Sequence, residues 1–214
     1  MMRRPRLWPL ALLAASGCAS LSGRCPTEKT PLICAIAEND ERRIAGLLDQ
    51  GMEVDQQQGG VRPLLMAAGA ARTETVRLLL DRGADPNAVN DRGVSALELA
   101  AQQGRRDNAE LLLARGARVR HASEFSTTAL HRAALRGDPA LLRLLLDAGA
   151  DVNAQRTDGA SPLMFAAATR SIETVKVLLE AGADPRIKNG SGETAYDYAV
   201  SRGRVKIAAM LKAP

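Results

Sequence analysis

From residue 30 onward, hydrophobic residues form short clusters with helical spacing, and glycine and polar residues separate the clusters. Val76, Leu79 and Leu80 lie three and four residues apart, which places them on one face of a helix and predicts a buried stripe. Shorter clusters between the stripes contain paired alanines, namely Ala67-Ala68, Ala100-Ala101, Ala133-Ala134 and Ala166-Ala167. The pattern therefore predicts a succession of paired short helices.

A glycine follows each leucine-rich stripe at a nearly fixed interval. The glycines at 51, 83, 116, 149 and 182 are 32, 33, 33 and 33 residues apart. Because glycine adopts the left-handed conformation with little strain, each one predicts the end of a second helix. A period of this size indicates one supersecondary unit copied along the chain. Stacked units form an extended surface, which favours binding to another macromolecule over catalysis in a pocket.

The units also share motifs at their starts and ends. The starts are Thr30-Pro31-Leu32, Arg62-Pro63-Leu64, Ser95-Ala96-Leu97, Thr128-Ala129-Leu130-His131, Ser161-Pro162-Leu163 and Thr194-Ala195-Tyr196. The ends are Leu-Leu pairs three residues before a glycine, three of them followed by Gly-Ala-Asp, at residues 83–85, 149–151 and 182–184. Together these motifs resemble the ankyrin repeat family. The resemblance implies an all-α solenoid of about six helix-turn-helix repeats with β-turn fingers, near residues 30–58, 59–91, 92–124, 125–157, 158–190 and 191–214.

Polar residues at the unit starts have predictable local roles. The hydroxyl groups of residues such as Thr30 and Ser161 are predicted to cap the first helix of a unit, because an N-cap oxygen accepts a free backbone N–H. By the family resemblance, His131 forms hydrogen bonds between turns.

The first residues have the composition of an export signal. Residues 1–6 carry three arginines, residues 7–15 are an apolar run, and the small residues Ser16 and Gly17 precede Cys18. The apolar run is too short to cross a bilayer of roughly 30 Å as a helix.

Residues 15–18 resemble the lipobox of bacterial lipoproteins, although Ala15 stands where leucine is usual. The resemblance implies a signal peptide over 1–17, a lipid on Cys18, a tether over 18–29 and a repeat domain over 30–214. It also implies a periplasmic protein anchored in the outer membrane rather than the inner one, because Ala19 and not aspartate follows the cysteine. The alternative is ordinary signal cleavage near Ala19, which gives a soluble exported protein.

Two further cysteines follow, Cys25 before the first repeat and Cys34 in its first predicted helix. Export places them in an oxidising compartment, where cysteine pairs usually form disulfides. A Cys25–Cys34 bridge is the favoured prediction, and two free thiols are the alternative.

Composition limits the kind of core and partner. The chain has one Trp, two Tyr and two Phe, so leucine, alanine and valine must fill many thin interfaces. Loss of Arg3, Arg4 and Arg6 with the signal lowers the formal net charge from +5 to +2. The residual charge does not favour nucleic acid as a partner.

Departures from the repeat pattern concentrate near the junction of the third and fourth repeats. Arg118 and Arg120 stand where the family has Asp and Asn, and the finger with Phe125 lacks a turn glycine. Arg132, Arg136 and Arg92 complete the candidate partner-binding set for an acidic surface, since aromatic residues and arginine are common at binding hot spots. Substitution at solvated positions without a function is the alternative. At the position of Arg132 the other repeats have Cys34, Met66, Leu99, Phe165 and Tyr198. These five residues either line a groove or pack between repeats.

No catalytic, cofactor or metal motif accompanies the repeats. His121 and His131 are the only histidines, no His or Cys cluster has metal-ligand spacing, and no phosphate-binding glycine loop stands apart from the repeat. We therefore expect a non-enzymatic, monomeric module that binds a protein partner through its fingers and concave face, without a cofactor, a small-molecule substrate or nucleic acid. The alternatives are a toxin-neutralising immunity protein and a periplasmic protein that protects an oxidative-stress enzyme.

Overall fold

The computed structural model describes residues 30–58 and 60–212, which form pairs of short helices joined by turns. The helices are Pro31–Glu38 (α1), Glu41–Asp49 (α2), Pro63–Ala70 (α3), Thr73–Asp81 (α4), Ala96–Gln103 (α5), Arg106–Ala114 (α6), Ala129–Arg136 (α7), Pro139–Asp147 (α8), Pro162–Ala168 (α9), Ile172–Glu180 (α10), Ala195–Ser201 (α11) and Val205–Leu211 (α12). Two helices fall in each predicted repeat, and the described residues also contain a short 3₁₀ turn at Glu124–Ser126 and isolated β-bridges. The predicted all-α solenoid is confirmed.

The helices form two rows. The first helix of each repeat packs against the first helices of its neighbours, as α7 does against α5 and α9. The second helices form the other row, in which α6 packs against α4 and α8. Each repeat thus contacts mainly the adjacent repeats, as in other solenoid proteins.

Leucine and alanine fill the interfaces between repeats. Leu112 and Leu145 on second helices are fully buried, as are Ala100 and Ala133 on first helices. The small alanine side chains allow the first helices to approach closely, so each layer between repeats is thin. This geometry explains how the chain builds a core with few aromatic residues.

The glycines after the second helices have the predicted conformation. Gly149 has φ of +89°, its N–H donates to Leu146 O at 2.9 Å, and Ala150 N–H donates to Leu145 O at 3.0 Å. These bonds satisfy carbonyl groups that the helix end leaves free. The chain then leaves α8 in the direction of the next finger.

The capping prediction is wrong for Thr30 and Ser161, whose hydroxyls do not cap their helices. Proline follows both residues and removes one free N–H from the helix start. At α1, Gln58 Oε1 accepts from Leu32 N–H and Ile33 N–H instead, at 3.1 and 3.4 Å. The prediction is confirmed at the helix starts without proline, Ser95, Thr128 and Thr194.

Cys34 is fully buried in α1 and is disulfide-bonded. Cys25, the signal sequence and Cys18 lie outside the described residues. The Cys25–Cys34 pairing and the lipid attachment therefore stay predictions.

Candidate protein-interaction site

The turns between repeats line up as a continuous row of fingers. The finger tips are residues 90–93, 123–126, 156–159 and 189–192. Backbone hydrogen bonds join each tip to the next, from Glu124 N–H to Arg92 O (3.0 Å), Thr157 N–H to Phe125 O (3.0 Å) and Gly190 N–H to Asp158 O (2.8 Å). The fingers are therefore one connected edge rather than independent loops.

The finger at residues 123–126 has an unusual backbone. Phe125 and Ser126 have φ of +62° and +55°, the left-handed region that side chains with a Cβ disfavour. Ser126 stands at the position that Gly93, Gly159 and Gly192 occupy in the other tips. Each such non-glycine residue costs about 1 kcal/mol or more, so the tip carries local backbone strain.

Neighbouring groups hold this strained finger in place. Ser123 donates to Thr127 O from its N–H at 2.8 Å and from its hydroxyl at 3.2 Å. Arg92 Nε donates to Glu124 Oε2 at 2.9 Å and joins this tip to the preceding one. The result is that Phe125 stays 50 % exposed although it is a large apolar side chain.

Arg120 takes part in the contact between repeats. In the preceding repeat, Asn87 donates to Gly116 O at 3.1 Å and accepts from Arg118 N–H at 2.8 Å, and both bonds recur at Asn153. At the equivalent position Arg120 Nε donates to Gly149 O at 2.8 Å. Since a guanidinium group has no acceptor, Arg120 replaces only the donor half of the asparagine bridge.

Arg118 is exposed in the same loop, and its side chain has no hydrogen-bond or ionic partner among the described residues. Asp85 and Asp151, which occupy this position in other repeats, each accept a backbone N–H two residues further on. Arg118 cannot do so, because arginine is only a donor. Its guanidinium group is free for an external partner.

Arg132 forms an internal ion pair. Its Nε and Nη2 both lie 2.9 Å from Oε1 of Glu98 on α5. The Glu98 side chain is 1 % exposed, whereas the Arg132 side chain is 30 % exposed. The other oxygen, Glu98 Oε2, is buried without a hydrogen-bond partner among the described residues. Arg132 thus neutralises a buried carboxylate and still reaches the surface.

Arg136 lies one helical turn after Arg132 on α7. Its guanidinium group lies against Gly104, where a Cβ would overlap it, and Nη1 donates weakly to Gln102 O at 3.4 Å. The glycine that ends α5 therefore makes room for the arginine of the next repeat.

The six candidate residues lie on three elements. Arg92 and Phe125 lie on the finger edge, Arg118 and Arg120 in the loop after α6, and Arg132 and Arg136 on α7. Two further residues, which the sequence motifs do not single out, lie beside the last pair. Glu98 binds Arg132, and Leu135 is 50 % exposed on α7. An alignment of the repeats reveals both residues. Glu98 is a charged residue at the position of His131, and Leu135 is a large apolar residue where the other repeats have Gly69, Gln102, Ala168 and Ser201.

Comparison with known proteins agrees with this geometry. The family profile described as ankyrin repeats matches three times, over residues 10–90, 43–123 and 130–213. The chain belongs to the ankyrin repeat family. It is also similar to the zygote-specific protein 3 of Chlamydomonas reinhardtii, with 38% identity over 69 residues. That match covers 32% of this ankyrin chain and 19% of the algal protein.

His131, the motif histidine of this ankyrin stack, has the linking role that the resemblance implied. Its Nδ1 accepts from Thr128, with the hydroxyl at 2.8 Å and the N–H at 3.3 Å, and its Nε2 donates to Ala160 O at 3.2 Å. Phe165 packs edge-on against the ring at 5.8 Å, and Arg156 lies 5.4 Å from the Phe165 ring centre. Burial, assisted by the positive charge of Arg156, lowers the pKa of His131 to about 4.

One cleft of the ankyrin surface adjoins the finger at residues 123–126. The cleft lined by Val119, Arg120, Ser126 and Asp151, among others, has a volume of about 260 Å³, which is small for a ligand pocket. Over residues 30–58 and 60–212, no group of three or more His, Cys, Asp and Glu side chains is arranged to hold a metal ion. In the same part of the chain no helix has the length and apolar character needed to cross a membrane.

Proposed function

We propose that this chain is a protein-binding module of the bacterial envelope, whose central contact is the finger tip that carries Phe125. The observation that carries the proposal is the combination of strain and exposure at this residue. Strained backbone persists only where surrounding structure enforces it, and it is found preferentially at functional sites. Here the enforced conformation holds a large apolar ring half in water.

The surroundings of the ring fit a contact with another protein. Arg92 and Glu124 lie beside Phe125 on the finger edge, so an apolar anchor is bordered by charged groups. Binding hot spots typically combine an aromatic anchor with a polar rim that excludes water. Arg118, in the loop that leads to this finger, adds a free cation. Ankyrin repeats generally act through such surfaces, which supports a binding role rather than an enzymatic one.

Phe125→Gly is expected to weaken partner capture strongly without loss of stability. Glycine tolerates the φ of +62° at this position, so the change removes the ring and relieves strain together. The protein is used as bait in an extract of the source cells, and the captured partner is quantified against wild type. We expect at least a tenfold loss, which corresponds to about 1.4 kcal/mol of binding free energy.

Ser126→Gly is the matched control on the adjacent residue. It restores the turn glycine of the other fingers and keeps the Phe125 ring, so capture should be unchanged. Urea denaturation should show a gain of about 0.5–1 kcal/mol in the free energy of unfolding for this variant. Equal capture by wild type and Phe125→Gly would remove the finger tip from the proposed site.

We further propose that a lipid on Cys18 holds the module at the periplasmic face of the outer membrane. The lipobox-like residues 15–18 support this, and several acyl chains on one residue would anchor it firmly, since each buried methylene contributes about 0.8 kcal/mol. Cys18→Ala is expected to move the protein from the membrane fraction to the soluble periplasmic fraction. Continued membrane association of this variant would exclude the anchor, and Ser20→Ala is the control for a substitution elsewhere in the same segment.

A further inference from the structure

We propose that the exposed face of α7, formed by Arg132, Leu135 and Arg136, is a preset site for an acidic polypeptide segment. The segment would present two carboxylates about one helical turn apart, beside an apolar side chain. This inference rests on the proposed protein-binding function and specifies the chemistry of the partner. The three residues follow the i, i+3, i+4 spacing that places side chains on one face of a helix.

Arg132 is oriented before any partner binds. Glu98 Oε1 accepts from both Nε and Nη2, which fixes the plane of the guanidinium group. The remaining N–H groups have no hydrogen-bond partner among the described residues, and the side chain is 30 % exposed. A planar guanidinium with free N–H groups binds a carboxylate through paired hydrogen bonds. Glu98 acts here as a positioning residue, because it is too deeply buried to meet a partner.

Arg136 supplies a second oriented cation. Its guanidinium group lies over Gly104, where a Cβ on residue 104 would block it. Its Nη1 donates one weak hydrogen bond to Gln102 O. Four residues of helix separate Arg132 from Arg136, a rise of about 6 Å. Carboxylates one helical turn apart on a partner have a matching separation.

Leu135 lies between the two cations on the same face and is 50 % exposed. Gln102 of α5, whose carbonyl accepts from Arg136, lies beside this face and carries no charge. Within the described part of the chain, Glu98 is the carboxylate that meets Arg132, and its charge is already neutralised. The face combines two cations with one apolar side chain, and the carboxylate in contact with it is already paired.

A buried ion pair is also a poor source of stability. Desolvation of two charges offsets most of their attraction, and a well-packed apolar pair often serves as well. The preceding interface in the stack has such a pair, since Leu65 and Leu99 occupy the positions of Glu98 and Arg132. The charge pair at α5 and α7 thus gives the surface an oriented guanidinium that packing does not require.

The test uses synthetic peptides as probes. A fluorescein-labelled helical peptide built from Glu-Ala-Ala-Leu-Glu blocks is titrated with the full chain, and binding is followed by fluorescence anisotropy. Two matched peptides replace every Glu by Gln or every Leu by Ser. We expect saturable binding of the acidic peptide that weakens with added salt, and about tenfold weaker binding of each matched peptide.

Variants of the protein assign the binding to α7. Glu98→Leu/Arg132→Leu recreates the apolar pair of the preceding interface, so it removes the cation without leaving a buried charge. This double variant and Arg136→Gln should each weaken acidic-peptide binding about tenfold. Arg77→Gln on exposed α4 removes the same single positive charge as Arg136→Gln and should leave binding unchanged. Helical circular dichroism confirms that each variant remains folded.

The inference is overturned if the acidic peptide fails to bind at millimolar concentration, if the amide peptide binds equally well, or if the double variant matches wild type. These outcomes are separate from the fate of the finger-tip site. Phe125→Gly leaves the α7 face intact and should bind the acidic peptide like wild type. If the acidic peptide does not bind while partner capture still depends on Phe125, only the acidic-segment inference is overturned.

Discussion

Arg132→Leu is expected to destabilise the stack by about 3–5 kcal/mol at neutral pH, because it leaves the Glu98 carboxylate buried without its counter-ion. Leucine itself fits the position, since the preceding repeat has Leu99 there. The loss therefore measures the uncompensated charge rather than poor packing. Urea denaturation followed by far-ultraviolet circular dichroism gives the free energy of unfolding.

The double variant Glu98→Leu/Arg132→Leu should recover most of this loss and unfold within about 1 kcal/mol of wild type. Together with Glu98→Leu it completes a double-mutant cycle, which isolates the interaction between the two side chains. A loss below about 1 kcal/mol for Arg132→Leu, or additive effects in the cycle, would contradict the ion pair seen between α5 and α7.

The repeat pattern predicts the scaffold well because its causes are local. Leucine spacing gives the second helices, and glycines such as Gly149 end them through a backbone preference that needs no distant partner. The capping prediction from the local motif is wrong at Thr30, because Gln58 from the far end of the same repeat accepts from the N–H of Leu32 at the helix start instead. A helix can therefore be capped by a side chain that no local motif identifies.

The candidate site is harder to predict because its residues act across repeat boundaries. The register shows that Arg120 and Arg132 are departures, but it does not show that one binds Gly149 O and the other a buried carboxylate of the preceding repeat. Similarly, the missing turn glycine shows that the finger with Phe125 is unusual. It does not predict that both Phe125 and Ser126 adopt the left-handed backbone conformation. The structure separates arginines that complete the scaffold, such as Arg120, from those whose side chain has no partner among the described residues, such as Arg118.

The stability of the chain is expected to fall steeply on acidification because of His131. Its pKa is about 4 in the folded chain against 6.5 for an ordinary histidine. Between these two pKa values the unfolded chain binds more protons than the folded chain. The contribution of neutral His131 to the free energy of unfolding is therefore complete above about pH 6.5 and is lost as the pH falls toward 4. The difference between the two pKa values corresponds to up to about 3 kcal/mol of unfolding free energy. The hydrogen bonds explain the direction as well, since Nδ1 must keep its lone pair to accept from Thr128 N–H.

His131→Gln provides the matched comparison, because glutamine stays neutral over this range while the carboxylates of the chain titrate in both proteins. Free energies of unfolding are measured in urea at pH 7 and pH 4. Wild type should lose up to about 3 kcal/mol more than the variant between these two conditions. Direct titration of the His131 ring by nuclear magnetic resonance should place its midpoint near pH 4. A midpoint above pH 6, or equal losses of unfolding free energy for the two proteins, would mean that water reaches the His131 ring. The hydrogen bond from the ring to Ala160 O would then not persist in solution.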